Sequence, residues 1–129
     1  MDYTPADRLE WMHGSEVTFT GKVWSSVMSR AEDRTATVIG VMFGPGARTH
    51  WHSHPDGQVL YVASGAGRVG STDGPVVEFS AGDVIYTPAG ERHWHGANPS
   101  SYMMHISVTT GGATVWEPRP VTDDEYNAG

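Results

Sequence analysis

The 129-residue chain contains no cysteine, which excludes disulfide bonds, thiolate metal ligands and cysteine nucleophiles together. It has only 8 lysine and arginine residues against 15 aspartate and glutamate residues, a formal net charge of −7. A negatively charged protein repels phosphate backbones and anionic headgroups, so neither nucleic acid nor a membrane is an expected partner. The chain also lacks an apolar run of the roughly 20 residues that span a bilayer, and its acidic start does not resemble a signal peptide. We therefore expect a cytoplasmic protein.

The chain is rich in residues that interrupt helices, with 16 glycines and 8 prolines spread along its length. Its apolar segments are short and alternate with the period of a strand: between residues 35 and 43, Ile39 and Val41 share one face while Val38 and Met42 share the other. Many short strands separated by turns predict an all-β sandwich or barrel. The predicted strands are residues 17–23, 35–43, 58–63, 76–79, 83–87 and 103–109.

Only the two ends of the chain have helical character. Thr4 is predicted to cap a turn that begins at Pro5, and residues 122–125 have the form of a capping box. No internal repeat, low-complexity tract or linker divides the sequence, so we expect a single domain over residues 1–129.

Histidines carry the functional signal. Apart from His13, which we interpret as a surface or hydrogen-bonded residue, they fall into three places: His50, His52 and His54; His93 and His95; and His105. Residues two apart on an extended chain point the same way, so each cluster presents its imidazoles to one side of a sheet. A turn over residues 55–57 can bring the amide oxygen of Gln58 to the same point. Three imidazole nitrogens from these clusters and one amide oxygen are therefore expected to converge, which indicates a metal site.

The spacing of these residues resembles the cupin family. The first cupin motif is matched by Gly46, His52, His54, Gln58 and Gly65, and the second by Gly82, Pro88, Gly90 and His93, so both motifs lie within residues 46–98. The resemblance implies a small, conical, antiparallel β-barrel related to the jelly roll, with short helical turns at the termini. It also implies one divalent metal per chain, held near the wider mouth of the barrel by the residues that match the family's ligands, which are His52, His54, Gln58 and His93.

Two positions depart from the general cupin pattern. Gln58 stands where the first motif usually has glutamate, and Ala97 stands where the second usually has asparagine. A neutral amide in place of a carboxylate should make the bound ion a stronger Lewis acid and weaken its retention. In the alternative interpretation, Gln58 does not bind the metal and three histidines hold it.

A narrower resemblance is carried by residues 46–58 and 90–97, together with His105 and residues 121–126. These segments are similar to the small manganese-dependent cupins that act as hydroxynitrile lyases, whose ligand set is three histidines and a glutamine. They are also similar to single-domain cupins related to carboxymuconolactone decarboxylases. The resemblance implies manganese; the donor set by itself also suits iron, nickel or zinc.

Cleavage of a hydroxynitrile, the reaction that this resemblance implies, needs a base that takes the proton of the substrate hydroxyl. His95 or His105 is predicted to act as the acid/base while the other orients the substrate or stabilises cyanide; alternatively, either histidine only hydrogen-bonds the ligands. Apolar and hydroxyl side chains on neighbouring strands are predicted to form the substrate pocket, or else to be ordinary core. They are Ile39, Val41, Leu60 and Thr109.

Three functions follow as hypotheses. The first is a metal-dependent lyase that cleaves or forms a carbon–carbon bond next to a hydroxyl or carbonyl, as the narrower resemblance implies. The second is an iron-dependent dioxygenase, and the third is a non-catalytic module that binds a small molecule. In each case the expected partner is a small molecule, and open barrel edges together with the family resemblance indicate a homodimer or homotetramer.

Overall fold

A computed structural model describes residues 1–30 and 36–128, and for Arg30 it describes the backbone. Within this part of the chain, nearly all regular structure is antiparallel β-strand. None of the helices in the described residues has the length and apolar composition needed to cross a membrane. The described residues form twelve strands: β1 (Met12–His13), β2 (Phe19–Thr20), β3 (Val23–Arg30), β4 (Thr37–Phe43), β5 (Arg48–Thr49), β6 (His52–Ser53), β7 (Gln58–Ser71), β8 (Val77–Ser80), β9 (Val84–Thr87), β10 (His93–Ala97), β11 (Met103–Thr109) and β12 (Val115–Trp116).

The long strand β7 joins the two halves of a curled sheet. Its first half pairs with β11 and β9, and its second half pairs with β10 and β8. On one side the sheet continues from β11 through β4 and β3 to β1, and on the other from β10 through β5 to β2. This antiparallel, barrel-like architecture confirms the predicted all-β fold and brings β6, β7, β10 and β11 around one interior.

The predicted strand over residues 58–63 is too short. In the structure β7 continues to Ser71, through a stretch in which glycine is frequent. At Gly65 the backbone has φ +77°, and Gly70 leaves room for the Trp94 ring, whose nearest atom would lie 2.5 Å from an added Cβ. The glycines that argue against a strand in the sequence therefore permit a bend and close packing here.

The predicted strand over residues 17–23 is wrong as one element. A turn covers residues 16–18, β2 contains only Phe19 and Thr20, and β3 begins at Val23. Gly21 separates them with φ +86°, and an added Cβ would lie 2.8 Å from the Cβ of Ala47. The chain bends at this glycine, so that β2 pairs with β5 in one half of the sheet and β3 pairs with β4 in the other.

Of the two predicted helical ends, the C-terminal one has the expected cap and the N-terminal one does not. Helix α1 (Asp123–Tyr126) has the predicted capping box between Thr122 and Glu125. The N-terminal turn is a 3-10 helix, Ala6–Arg8, but Pro5 with its extended ψ of 150° occupies the cap position and no side chain caps it. Thr4 lies one residue too far away, so its predicted capping role is wrong.

Candidate metal centre

Three histidines meet because two short strands are paired. β10 is antiparallel to β6 with His93 opposite His52, and His95 follows on the same face of β10. One ring nitrogen from each of the three histidines lies within 4.8 Å of the others, and all three residues are buried. His54 follows β6 directly, with its ring centroid 5.0 Å from that of His52 and 5.4 Å from that of His93. The interior thus holds a compact histidine cluster.

Main-chain carbonyls fix the orientation of two of these rings. Nδ1 of His52 donates to the carbonyl oxygen of His50 at 2.9 Å, and Nδ1 of His93 donates to that of Glu91 at 3.0 Å. Because a carbonyl only accepts, each Nδ1 carries the proton and each Nε2 has a free lone pair. Nδ1 of His54 is held in a similar way, 3.2 Å from the Thr114 hydroxyl. The Nδ1–H tautomer of His52 and His93 is the one that an Nε2 metal ligand requires.

Several side-chain nitrogen and oxygen atoms at the cluster are buried without a hydrogen-bond partner. They are Nε2 of His54, His93 and His95 and Oε1 of Gln58. A buried polar atom without a partner costs roughly 1–3 kcal/mol, so four in one place need an explanation. Neutral nitrogen donors and one amide oxygen suit a divalent transition metal. The residues therefore fit the metal that the sequence predicts.

Burial keeps these histidines neutral. It lowers the pKa of His52 well below its ordinary value, with nearby His93 adding to the effect, and it lowers the pKa of His93 in the same direction. Burial, reinforced by the charge of His93, lowers the pKa of His54 to about 4. Neutral imidazole is the form that binds a metal, so the ligands do not need to lose protons at neutral pH.

His95 and His105 form a second, adjoining pair. Nε2 of His105 lies 3.1 Å from Nδ1 of His95, while Nε2 of His95 and Nδ1 of His105 have no partner. Burial lowers the pKa of His105 to about 4, and burial together with the charge of His105 lowers the pKa of His95 well below its ordinary value. The two rings therefore form a neutral hydrogen-bonded relay between β10 and β11.

A cavity of about 140 Å³ opens onto this cluster. His95 and His105 line it, and so do the predicted pocket residues Ile39, Val41 and Thr109. Leu60 is fully buried but is not among the lining residues. Within the described part of the chain no Asp, Glu, Lys or Arg side chain lines the cavity. Its other walls are Phe19, Ser25, Phe43, Thr49, His52, His54, Gln58, Ser107, Thr114 and Trp116.

The structure brings the predicted ligands close together, but the three histidines that lie closest to one another include His95 in place of His54. His52, Gln58 and His54 all line the cavity. His95, predicted as an acid/base, is the third member of the tightest trio, whereas His54 stands beside it. Gln58 lies at the start of β7, with its Oε1 buried and unpaired. The ligand and acid/base assignments themselves remain predictions.

The remaining histidines lie outside this arrangement. His50 is buried, but it is not among the residues that line the cavity. His13 is exposed on β1, and its ring packs edge-on against Trp24, 5.2 Å between centroids. Its interpretation as a residue unconnected with the site fits this position.

One aromatic wall of the site was missed by the sequence reasoning. Trp116 lies opposite His52 in the pairing of β12 with β6, and its ring is 4.6 Å from the imidazole, tilted by 34°. Phe19 contacts Trp116 from the side, with 5.8 Å between the ring centroids. No periodicity marks either residue, because each belongs to a two-residue strand whose partner is distant in sequence.

Comparison with known proteins agrees with this fold and site. A (R)-mandelonitrile lyase from Granulicella tundricola is 43% identical over 113 residues, which cover 84% of this chain and 85% of the relative. A cupin-like protein of known structure from Thermotoga maritima is 40% identical, with a TM-score of 0.84 over 88% of this chain and 89% of that one.

A more distant solved structure extends the likeness in fold alone. The polyketide cyclase RemF from Streptomyces resistomycificus is 19% identical, with a TM-score of 0.77 over 98% of this chain and 90% of that one. Residues 41–110, which are more than half of the chain and contain the whole histidine cluster, match the cupin domain family. On this match and on the 43% identity to the lyase, the chain belongs to the cupin family.

Proposed function

We propose that this protein is a metal-dependent lyase that cleaves cyanohydrin-like substrates into an aldehyde or ketone and hydrogen cyanide. The observation that carries the proposal is the neutral His95–His105 pair, which lines the same cavity as the candidate metal ligands His52, His54 and Gln58. The identity to a mandelonitrile lyase supports this reaction class over others that the cupin barrel hosts.

In this proposal His52, His54, Gln58 and His93 hold one divalent ion, with manganese favoured by the family resemblance. The bound ion would supply Lewis-acid stabilisation of the negative charge that develops on the substrate oxygen. Gln58 contributes no charge, so the four protein donors do not weaken that acidity as a carboxylate would.

The histidine pair supplies the proton transfers. One imidazole accepts the proton of the substrate hydroxyl as the carbon–carbon bond breaks and its electron pair leaves with cyanide. The resulting imidazolium then returns the proton to cyanide, which leaves as hydrogen cyanide, so atoms and charge balance. Because burial lowers the pKa of His105 to about 4, its imidazolium is acidic enough to give the proton up readily.

The same proposal includes the substrate pocket, the assembly and the location. Ile39, Val41 and Thr109 stand on adjoining strands of the cavity wall, where they would contact the part of the substrate away from the hydroxyl. Leu60 is buried next to this wall on β7. We further propose a small-molecule partner, a homodimer or homotetramer, and the cytoplasm, as the sequence suggests.

The test is cleavage of (R)- and (S)-mandelonitrile by manganese-loaded protein at mildly acidic pH, where spontaneous breakdown is slow. We expect benzaldehyde and cyanide to form faster from one enantiomer. His52→Ala should abolish the acceleration, while His13→Ala, at an exposed histidine outside the cluster, should retain it. Equal rates for the His52→Ala and unmodified proteins, with metal present in the latter, would reject the proposal; dioxygen uptake with iron bound would point to oxygenase chemistry instead.

A further inference from the structure

A second cavity lies behind the histidine cluster. Consecutive residues of an extended chain point to opposite faces, so Trp51 beside His52, and Trp94 between His93 and His95, lie on the far side of the sheet from the metal centre. Both tryptophans line a cavity of about 550 Å³, within the range typical of small-molecule sites. We call it the outer cavity; it shares no lining residue with the cavity at the histidines.

Two arginines stand at the outer cavity with unused donors. The guanidinium carbon of Arg92 lies 4.1 Å from the centre of the Trp51 ring, and that of Arg119 lies 5.5 Å from it. Arg92 uses Nε to bind Glu117, and Arg119 uses Nη2 to bind Glu125 at 2.7 Å. Their other guanidinium N–H groups have no hydrogen-bond partner among the residues described.

The indole N–H of Trp51 also has no partner. Trp51 is only 5% exposed, and its Nε1 makes no hydrogen bond. Tryptophan usually finds an acceptor for this group when it is buried, because leaving it unpaired costs roughly 1–3 kcal/mol. An acceptor atom brought by a ligand would remove that cost. This buried donor is the observation that distinguishes the outer cavity from an ordinary surface depression.

The remaining walls indicate the shape of the ligand. Pro75 and Val76 give the cavity an apolar side next to Trp94, while Ser71 and Thr72 add hydroxyls. The charged residues that line it are Arg92, Arg119 and Glu125, and Glu117 binds Arg92 from outside the lining. Each guanidinium is therefore paired with one carboxylate, while its remaining N–H groups stay available as charged donors. An anion with an apolar body matches both features.

We propose that the outer cavity binds a small carboxylate that carries an apolar ring. Its oxygens accept hydrogen bonds from the free N–H groups of Arg92 and Arg119 and from the indole N–H of Trp51. Its ring packs against Val76 and Trp94. This site does not depend on the reaction proposed for the histidine cavity.

The test uses benzoate as probe and ¹⁵N-labelled, zinc-loaded protein, which is diamagnetic. The indole N–H signals of Trp51, Trp94 and Trp116, assigned with single Trp→Phe variants, separate the two cavities because only Trp116 lines the histidine cavity. We expect benzoate to shift the Trp51 and Trp94 signals saturably. Benzamide, which lacks the charge, and acetate, which lacks the ring, should each bind more weakly.

Arg119→Gln should weaken benzoate binding by about tenfold, the effect of losing one charge-assisted hydrogen bond. Arg8→Gln, at an exposed arginine outside the cavity, should leave it unchanged. The proposal is wrong if benzoate shifts only Trp116, if no saturable shift occurs at Trp51, or if benzamide binds as tightly as benzoate. The comparison of benzoate with benzamide on unmodified protein decides the question even if the Arg119→Gln protein does not fold.

Discussion

At the scale of single residues, the site has one more histidine than a four-ligand centre with Gln58 requires. His54 and His95 both stand beside the pair formed by His52 and His93, with ring centroids 5.0 and 5.1 Å from that of His52. Their surroundings differ, because Nδ1 of His54 faces the Thr114 hydroxyl whereas Nδ1 of His95 faces His105. The Thr114 hydroxyl does not titrate in the ordinary pH range and serves to orient its ring, whereas two imidazoles can exchange a proton.

This difference separates a ligand from an acid/base. We expect His54→Ala to weaken metal retention by at least about tenfold, since even changes outside the ligand set have that effect. His95→Ala should keep the metal and lose the lyase activity. Metal content after dialysis, measured by mass spectrometry, checks both variants, with His13→Ala as the control. Loss of metal from the His95→Ala protein instead would assign His95 to the ligand set.

Gln58 gives a second prediction at this scale. Gln58→Glu keeps the size of the side chain and adds an anionic oxygen where Oε1 is now buried without a partner. We expect slower removal of the metal by a chelator and slower mandelonitrile cleavage, because the added charge binds the ion and reduces its Lewis acidity. The measurements are the rate of metal loss and kcat on the same preparation. Unchanged metal retention would indicate that Gln58 is not a ligand.

At the scale of elements, the C-terminal helix α1 packs against the strands of the barrel and holds them together. Tyr126 is buried, its hydroxyl donates to the carbonyl oxygen of Ala97 on β10, and its ring packs against Trp94. Arg48 of β5 stacks on the same ring and binds the Val121 carbonyl oxygen at 2.8 Å and Asp123 at 2.8 Å. These contacts hold the four-residue helix against β5 and β10, and β10 carries residues of the site.

The capping box should therefore affect the stability of the whole protein. Thr122→Ala removes the oxygen that accepts from the Glu125 N–H at 3.1 Å, and we expect it to lower the free energy of unfolding by about 1 kcal/mol. Thr4→Ala is the matched control, because Thr4 is exposed and does not cap its turn. Urea denaturation measures both variants. Equal stability of the two would mean that α1 does not hold the barrel closed.

Glu125 makes the stability contributed by helix α1 sensitive to pH. Burial by itself raises the pKa of Glu125, but hydrogen bonds from the Thr122 N–H at 3.0 Å and from Arg119 at 2.7 Å outweigh it, so the pKa lies below its ordinary 4.5. The contribution of the carboxylate is therefore complete above pH 4.5 and is lost as the pH falls through the lower folded value. We expect Glu125→Gln to be less stable than the unmodified protein at neutral pH, with a difference that disappears in acid. Urea denaturation across this range checks it, and a difference that persists in acid would contradict the linkage.

How well an element could be predicted depended on whether its signal was local. β11 matches the predicted residues 103–109, because Met103, His105 and Ser107 alternate cleanly with partly buried neighbours. The capping box was likewise readable from four consecutive residues. By contrast, β5, β6 and β12 contain two residues each and exist only through pairing with distant segments. Hence Trp116, whose position is set by such a pairing, could not be assigned to the site from sequence.

At the scale of the whole molecule, the fold concentrates neutral donors at one point. The site draws His52 from β6, His54 from the residue after it, Gln58 from β7, His93 and His95 from β10 and His105 from β11. It therefore forms only when these strands assemble. The H-x-H spacings predicted which rings share a face. They could not predict which of these rings bind the metal, because that depends on the distance between the rings on β6 and those on β10.

Because the donor atoms converge only in the folded barrel, a bound metal must stabilise that barrel. An ion that binds the folded but not the unfolded chain adds RT ln(1 + [M]/Kd) to stability, about 2.7 kcal/mol at a hundred times Kd, or roughly 10 °C in Tm for a chain of this size. We expect chelation to lower Tm by about this amount and manganese to restore it. His52→Ala protein should melt at the same temperature with and without metal, since one of the three closest ring nitrogens is gone. A similar metal response in both proteins, measured by calorimetry, would place the bound ion outside the histidine cluster.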